Sequence, residues 1–356
     1  MLRKYDFFKK LTMKGWDRMA SAENTRRVLN ISQIADELGV SKTTVSRAIS
    51  GKGRVSEETR NRVLDYIRQH NYRPNLVARG LAQQKTYNVA LVIPRHFQQL
   101  DLAFLRHTMG SVYELATQND YDVLLSMVSE RDVTPLRRLL DNRKIDGVIL
   151  TRTIQNDPLI PLLQEYGLPF VAMGQPIVED VYSVDNDQVG GARELVALLL
   201  MKGMQRIAIL GGTMLYTVNG SRVEGYRKAH EQMGVPVDER LIFTELESDS
   251  QRLNALDRAL AQKPDCLLCM DEEVAGLMLR TLRQRGIKVP EQIKVASLYD
   301  ANDLTNLTPQ VSAVRYDAFQ LGNMAMQQLM SLIDGKPTEQ RVELGFQVIL
   351  RDSTKT

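Results

Sequence analysis

Several kinds of residue and motif are scarce in this chain of 356 residues, and each scarcity removes a class of protein. It has only two cysteines, Cys266 and Cys269, so it is not a disulfide scaffold. They form a CxxC by spacing, but no second pair and no nearby histidine completes a zinc site. They lie in the apolar run PDCLLCM, which reads as a buried strand whose positions three apart face opposite ways. Both are therefore expected in the core. The four histidines, His70, His96, His107 and His230, lack metal-ligand spacing and a nucleophile to activate. No GxGxxG, GxxxxGK[ST] or GxSxG is present, so nothing supports an enzyme, and no catalytic residue, metal or cofactor is assigned. No apolar run approaches the ~18 residues of a membrane span. The N-terminus carries charges throughout, so neither a membrane partner nor a signal peptide is expected, and the protein is expected in the cytoplasm.

What is abundant is unevenly placed. Hydrophobic residues make up 43% and charged residues 25%, which suits a large globular core, and the length suggests two or three folded units. The net charge of +3 hides an asymmetry. Residues 1–86 hold 18 Lys and Arg against 8 Asp and Glu, whereas the remainder holds 28 against 35. A basic head on an acidic body is the electrostatic footprint of a polyanion-binding module joined to something else.

The head is organised around residues 31–50, ISQIADELGVSKTTVSRAIS. Ile31, Ile34, Ala35 and Leu38 recur at helical spacing and predict a short helix with one apolar face. Gly39 can take the left-handed conformation that ends it, and Ser41 can cap a second helix, Lys42–Ile49. That helix buries Val45, Ala48 and Ile49 and leaves Lys42, Thr43, Ser46 and Arg47 outside, a cationic and hydroxyl face suited to phosphates and base edges. The pattern is a helix–turn–helix, against the blander alternative of two solvated helices in another bundle. GKGRVSEETR then supplies a glycine-rich loop with Lys52 and Arg54, and Ser56 caps a third helix with Val63, Tyr66 and Ile67 inside. Arg73 and Pro74 stop the helical domain.

The run GVSKTTVSRAISGKGRVSEETRNRV followed by NYRPNLVARGLA resembles the DNA-binding head of the lac repressor/galactose repressor family, almost position by position. The resemblance implies DNA contacts from Ser41, Lys42, Thr43, Ser46, Arg47, Lys52 and Arg54. Lys42 and Thr43 match positions that set operator preference, and Arg47 matches a more constant base-contacting arginine. Residues 75–82, NLVARGLA, match the family's hinge helix, which implies contacts from Asn75, Ala78, Arg79 and Leu81. Leu81 matches the leucine wedged into the central base step of the minor groove. Eight residues with an internal glycine should not be helical in water on their own, since short helices nucleate poorly and Gly80 costs about 1 kcal/mol relative to alanine. Residues 1–30 depart from the family, where the helix–turn–helix begins close to the first methionine. They hold Phe7, Phe8 and Trp16 among eight basic residues. They are expected to be a disordered extension or to precede a true start at Met13 or Met19; the alternative is a basic arm on DNA.

From Tyr87 the texture becomes short apolar runs alternating with amphipathic stretches. VALVIP, YDVLLSMV, DGVILT and PFVAMG, then RIAILGG, DCLLCMD and IKVASLYD, read as parallel strands with helices between them. Two such series mean two doubly wound α/β lobes. The organisation is an extension over 1–30, an all-α head over 31–74, a hinge and linker over 75–86, and a body over 87–350. The resemblance adds that the lobes are of periplasmic-binding-protein type, with crossings near Asp185, near Ala313 and near the C-terminus. VELGFQVILR reads as one last strand with no leucine heptad after it, so a homodimer is expected.

For a small effector between the lobes, the resemblance implies Phe104, Arg222, Asp271 and Asp300. Arg222 is read as opening a helix after a strand. The match is incomplete: Met270 stands where asparagine is usual, Tyr299 where the first of two aspartates is usual, and Arg95 where aspartate is common. Leu102 and Ala103 replace a Pro-Phe beside Phe104. These departures suggest an acidic or phosphorylated sugar, or a less polar molecule. The expected function is a sequence-specific transcriptional regulator, a repressor of a carbohydrate-utilisation operon. It would bind near-palindromic double-stranded operator DNA and answer to a sugar-like effector. A sugar-binding transport protein would share the body without the basic head. A family member controlled by a protein partner or corepressor is the remaining alternative.

Overall fold

The computed structural model describes residues 30–51, 53–70, 80, 83–95 and 102–355. The chain divides into two compact units, Met1–Gln84 and Lys85–Thr356.

In the first unit, α1 (Ile31–Leu38), α2 (Lys42–Ser50) and α3 (Glu57–Gln69) enclose a small core of Ile34, Ala35, Val45, Ala48 and Val63. Each helix begins on a capping side chain. Asn30 closes a capping box with Gln33, Ser41 accepts from the Thr44 N–H, and Ser56 from the Thr59 N–H. Gly39, at φ +66°, ends α1 in the left-handed conformation, and its turn returns the Val40 N–H to the Ala35 carbonyl. Arg62 donates to the Leu38 carbonyl and Arg60 to that of Gly51, so α3 ties the turn and the loop together.

The second unit holds two six-stranded sheets. The first lobe is built from β1 (Asn88–Pro94), α4 (Leu102–Gln118), β2 (Asp122–Val128), α5 (Thr134–Asp141), β3 (Gly147–Leu150), α6 (Leu159–Tyr166), β4 (Phe170–Met173) and β5 (Ser183–Asn186). The second follows with α7 (Gln188–Met201), β6 (Ile207–Leu210), α8 (Thr217–Met233), β7 (Ile242–Phe243), α9 (Asp249–Ala261), β8 (Cys266–Cys269), α10 (Glu272–Gln284), β9 (Lys294–Ser297), α11 (Asn302–Thr305) and β10 (Ser312–Arg315). The chain then returns for α12 (Ala318–Ile333) and β11 (Arg341–Leu344), and crosses once more into β12 (Gln347–Ile349). Strand orders are β11-β5-β4-β3-β1-β2 and β12-β10-β9-β8-β6-β7. All pairs are parallel except β10 with β12.

Three features correct the sequence reading. The stretch VELGFQVILR is two strands, β11 and β12, in different sheets, because the third crossing falls at Gly345 and Phe346 between them. Helix α12 was not legible as a separate element; it packs its buried Leu321, Ala325, Met326 and Leu329 under the first sheet. The body also extends past residue 350: Ser353 and Thr354 are fully buried, with Ser353 Oγ donating to the Val295 carbonyl and the Ser312 and Thr354 hydroxyls paired at 2.6 Å. Cys266 and Cys269 are free thiols in two different hydrophobic clusters, on opposite faces of β8. Burial pushes both thiols well above their ordinary range, which leaves them inert packing residues. Among the described residues, no helix is long and apolar enough to cross a membrane, and no group of three or more His, Cys, Asp and Glu is placed to hold a metal ion.

Candidate nucleic-acid interface and effector cleft

The head displays its cationic face as the helix–turn–helix pattern requires. Ser41, Lys42, Thr43, Ser46 and Arg47 are exposed on α2 and the turn before it, opposite the buried Val45 and Ala48. Arg54 is exposed on the following loop. Gly53, at φ +88°, gives the Arg47 side chain its seat: a Cβ there would lie 3.1 Å from Arg47 Cδ. No acidic residue occurs in α2, so the face carries positive charge only. Lys52, Asn75, Ala78, Arg79 and Leu81 lie outside the described residues, as does most of the expected hinge.

In the body, a cleft of about 560 Å³ opens between the lobes at the carboxyl ends of the parallel strands, where open α/β sheets bind ligands. Its walls differ in chemistry. Phe104 from α4 and Tyr299 from the loop after β9 meet edge to face, 6.4 Å between ring centroids, and Tyr316 stacks behind Tyr299 at 6.2 Å. The rest of the lining is largely polar: Asp185, Asn186 and Gln188 at the first crossing, Asn219 and Arg222 on α8, and Asp271 at the start of α10. At one edge the lobes touch directly. The Thr153 and Thr217 hydroxyls are 2.5 Å apart, Ile154 bridges Tyr216, and Gln155 Nε2 donates to the Met214 carbonyl.

The structure brings three of the four expected effector residues to this cleft. Arg222 is buried, its Nε donating to Gln188 Oε1 at 3.2 Å and an Nη to the Met270 carbonyl at 2.6 Å. It does not open its helix: α8 starts at Thr217, and the Asn219 side-chain amide ties the helix's first turn to the Thr213 carbonyl of the preceding loop. Asp271 caps α10 through the Val274 N–H and also lines the cleft. Phe104 contributes its ring. Asp300 is the exception. Its carboxylate turns away to Arg351 and Arg315, both at 2.7–2.8 Å, and is almost fully enclosed there, so it pins the C-terminal segment rather than facing the cleft.

The departures from the family pattern also find places. Met270 points inward, so that a Cβ on Gly211 would strike its sulfur, while its carbonyl anchors Arg222. Arg95 lies outside the lining of the cleft and pairs with Asp132 at 2.7 Å. The Thr134 hydrogen bonds and that arginine hold the Asp132 carboxyl below its usual range. The expected extra cation of the pocket is therefore absent from it. Tyr299, read in the sequence as a lost aspartate, is an aromatic wall.

Asp185, Asn186, Gln188 and Asn219 escaped the sequence reading, and no local motif could have found them. They become neighbours of Arg222 only where the chain crosses between lobes. Burial at the end of β5 pushes the Asp185 carboxyl up to about 7, against the lowering influence of the Asn186 N–H and Arg222; Glu343 and Asp187 add to the rise.

A basic helix–turn–helix unit and a two-lobed unit with a ligand-sized cleft define a DNA-binding regulator with a small-molecule-binding type of body. Residues 30–75 match the bacterial regulatory proteins of the lacI family, and residues 196–354 match the periplasmic binding protein-like domain. This pairing gives the chain a lacI-family DNA-binding domain and a periplasmic-binding-protein-like domain, the two parts of a DNA-binding regulator. Catabolite control protein A of Staphylococcus aureus (strain Mu50 / ATCC 700699) is 28% identical over 333 residues, covering 92% of this chain and 99% of that protein. The namesake protein of Streptococcus mutans is 28% identical over 93% of this chain and all of its own length. Among solved structures, the transcriptional regulator CelR–cellobiose complex is 28% identical with a TM-score of 0.70, covering 91% of this chain and 99% of that one. The lac repressor dimer bound to operator and the anti-inducer ONPF shares the fold, with a TM-score of 0.76 at 21% identity over 93% of this chain and 100% of its own.

Proposed function

We propose that this regulator is a repressor of carbohydrate utilisation, which binds a near-palindromic operator as a homodimer and is controlled by a small sugar-like effector in the interlobe cleft. The observation that carries the effector half is the cleft itself. Its lining combines the aromatic rings of Phe104 and Tyr299 with the polar side chains of Asn219, Arg222 and Asp271 and the residue Asn186. A pyranose has an apolar face and a rim of hydroxyls, and such a ligand fits a lining that offers both kinds of contact. CelR, similar over 91% of this chain, is seen with cellobiose, which favours the same class.

In the DNA half, Lys42, Thr43 and Arg47 enter the major groove from each head, with Ser41, Ser46, Lys52 and Arg54 on or beside the backbone. Asn75, Ala78, Arg79 and Leu81 act at the minor groove, with paired Leu81 side chains at the centre. The place of action is the cytoplasm, where the chromosome is. Effector and operator are linked: a ligand preferring the lobe arrangement that separates the two hinges weakens operator binding by the factor by which operator weakens its own.

Gel-shift binding to the DNA upstream of its own gene and neighbouring operons, at two salt concentrations and against a sugar panel, tests the whole reading. Salt-sensitive binding abolished by one compound is the expected result. Binding indifferent to every compound points instead to control by a corepressor or protein partner, and no specific binding anywhere overturns the proposal. Arg47→Ala is expected to cost about 1–3 kcal/mol, mostly against the preferred sequence. Leu81→Ala is expected to weaken operator binding with the body still folded; unchanged affinity would remove the wedge role.

A further inference from the structure

The first lobe crossing places two consecutive polar residues, Asp185 and Asn186, in the cleft lining at the end of β5. Asn186 is 4% exposed, yet its Oδ1 makes no hydrogen bond among the described residues. A buried carbonyl oxygen without a donor is unfavourable, and the residue that carries this one borders the cleft. Arg222 already commits its Nε to Gln188 and one Nη to the Met270 carbonyl, and the whole lining holds six Asp and Glu against four arginines.

The charges around Asp185 are mostly of its own sign. Glu343 stands beside it in register on β11, and Asp187 follows it at the start of α7. Arg222 approaches from α8, and Tyr316, just after β10, adds a buried hydroxyl that has no hydrogen-bond partner among the described residues. Elsewhere in the lining, Asp271 and Glu272 at the start of α10 add two more carboxyl groups. Acceptors prevail in this part of the cleft. A hydroxyl or amine satisfies them, whereas a carboxylate or phosphate sets like charge against them.

We propose that Asp185 and Asn186 are specificity-determining residues of the cleft, selecting an uncharged, donor-rich polyol over sugar acids and sugar phosphates. The inference rests on the effector reading above, which it narrows to one chemical class, and it replaces the acidic or phosphorylated effector suggested by the sequence alone. It carries a pH signature. With its carboxyl pushed up to about 7, Asp185 is half protonated near neutrality. A ligand hydroxyl donates best to the ionised form, so polyol binding releases a proton and tightens by up to about tenfold from pH 6 to pH 8. An anionic ligand would favour the protonated form and show the opposite slope.

Isothermal calorimetry on the full chain decides between them, with glucose, cellobiose, gluconate and glucose 6-phosphate at pH 6, 7 and 8. The expected result is binding of a neutral sugar that strengthens with pH, and weak or no binding of the anions. Asp185→Asn is expected to flatten the pH slope and narrow the preference for neutral over anionic ligands. Asn186→Ala is expected to weaken the neutral sugar severalfold at every pH. Tighter binding of gluconate or the phosphate, or neutral-sugar binding that ignores pH in the wild-type protein, overturns the inference and leaves the effector reading standing. If no compound of either kind binds, both fall. The wild-type slope and ligand ranking suffice where a variant fails to fold.

Discussion

At the scale of single residues, chemistry visible in the sequence took on different tasks once neighbours were supplied. Asp300 was expected at the effector, yet its carboxylate is enclosed between Arg351 and Arg315. Removing one partner of an enclosed pair strands the other charge. Arg351→Ala is therefore expected to cost about 3–5 kcal/mol of body stability in denaturant unfolding, because its side chain is only 9% exposed. Arg315, half exposed, should cost no more than about 1 kcal/mol. Asp185 gives a second residue-scale expectation. Its folded-state carboxyl is raised above the ordinary value, so between about pH 4 and 7 the folded chain holds a proton that the unfolded chain has lost. Unliganded stability then falls as pH rises through that window. Thermal unfolding from pH 4.5 to 7.5 checks it, and Asp185→Asn should remove this part of the slope.

At the scale of elements, caps and close approaches decide how the pieces meet. Gly39, Ser41 and Ser56 were legible because turn and cap chemistry depends on residues three or four apart. The Asn30 capping box is an equally local signal, Asn30 with Gln33 three residues on, which the reading from Ile31 passed over. Ser56→Ala should lower head stability by about 1 kcal/mol, read by circular dichroism on melting, through the loss of one cap on α3. Gly225 works by absence of a side chain: a Cβ there would lie 2.4 Å from the Val189 carbonyl and 2.7 Å from Ala192 Cβ, where α8 crosses α7. Gly225→Ala should cost about 1–3 kcal/mol of body stability in the same melting experiment, as forced overpacking does. Gly322 plays the same part between α12 and α4, with Ser111 Oγ 2.1 Å from the position of its missing Cβ.

At the scale of the whole molecule, two lobes share one cleft because the chain crosses between them three times, at Asn186–Asp187, Tyr316–Asp317 and Gly345–Phe346. Any ligand that bridges Phe104 and Tyr299 to Asn219 and Arg222 touches both lobes. Its binding energy can therefore favour one lobe arrangement, which is the requirement for control at a distance. The reciprocity of linkage is the measurable consequence. The factor by which a saturating effector weakens operator binding should equal the factor by which operator DNA weakens effector binding, measured by titration in both directions.

The sequence by itself determined the head and the alternation of the body. A helix–turn–helix is local: its apolar spacing, its turn glycine, its caps and its cationic face all lie within about twenty consecutive residues. The buried strands announce themselves for the same reason, as short apolar runs such as VALVIP and CLLC. Only the tertiary structure decided the cleft. Asp185, Arg222, Asp271 and Tyr299 are far apart in sequence and become neighbours through the lobe crossings, while Asp300, adjacent to Tyr299, turns to the C-terminal segment instead. Strand β5 carries too few apolar residues to signal itself, and the stretch holding β11 and β12 reads as a single strand, because its division comes from pairing with two different sheets. Periodicity reports what a segment buries, and a binding site depends on which distant segments that burial brings together.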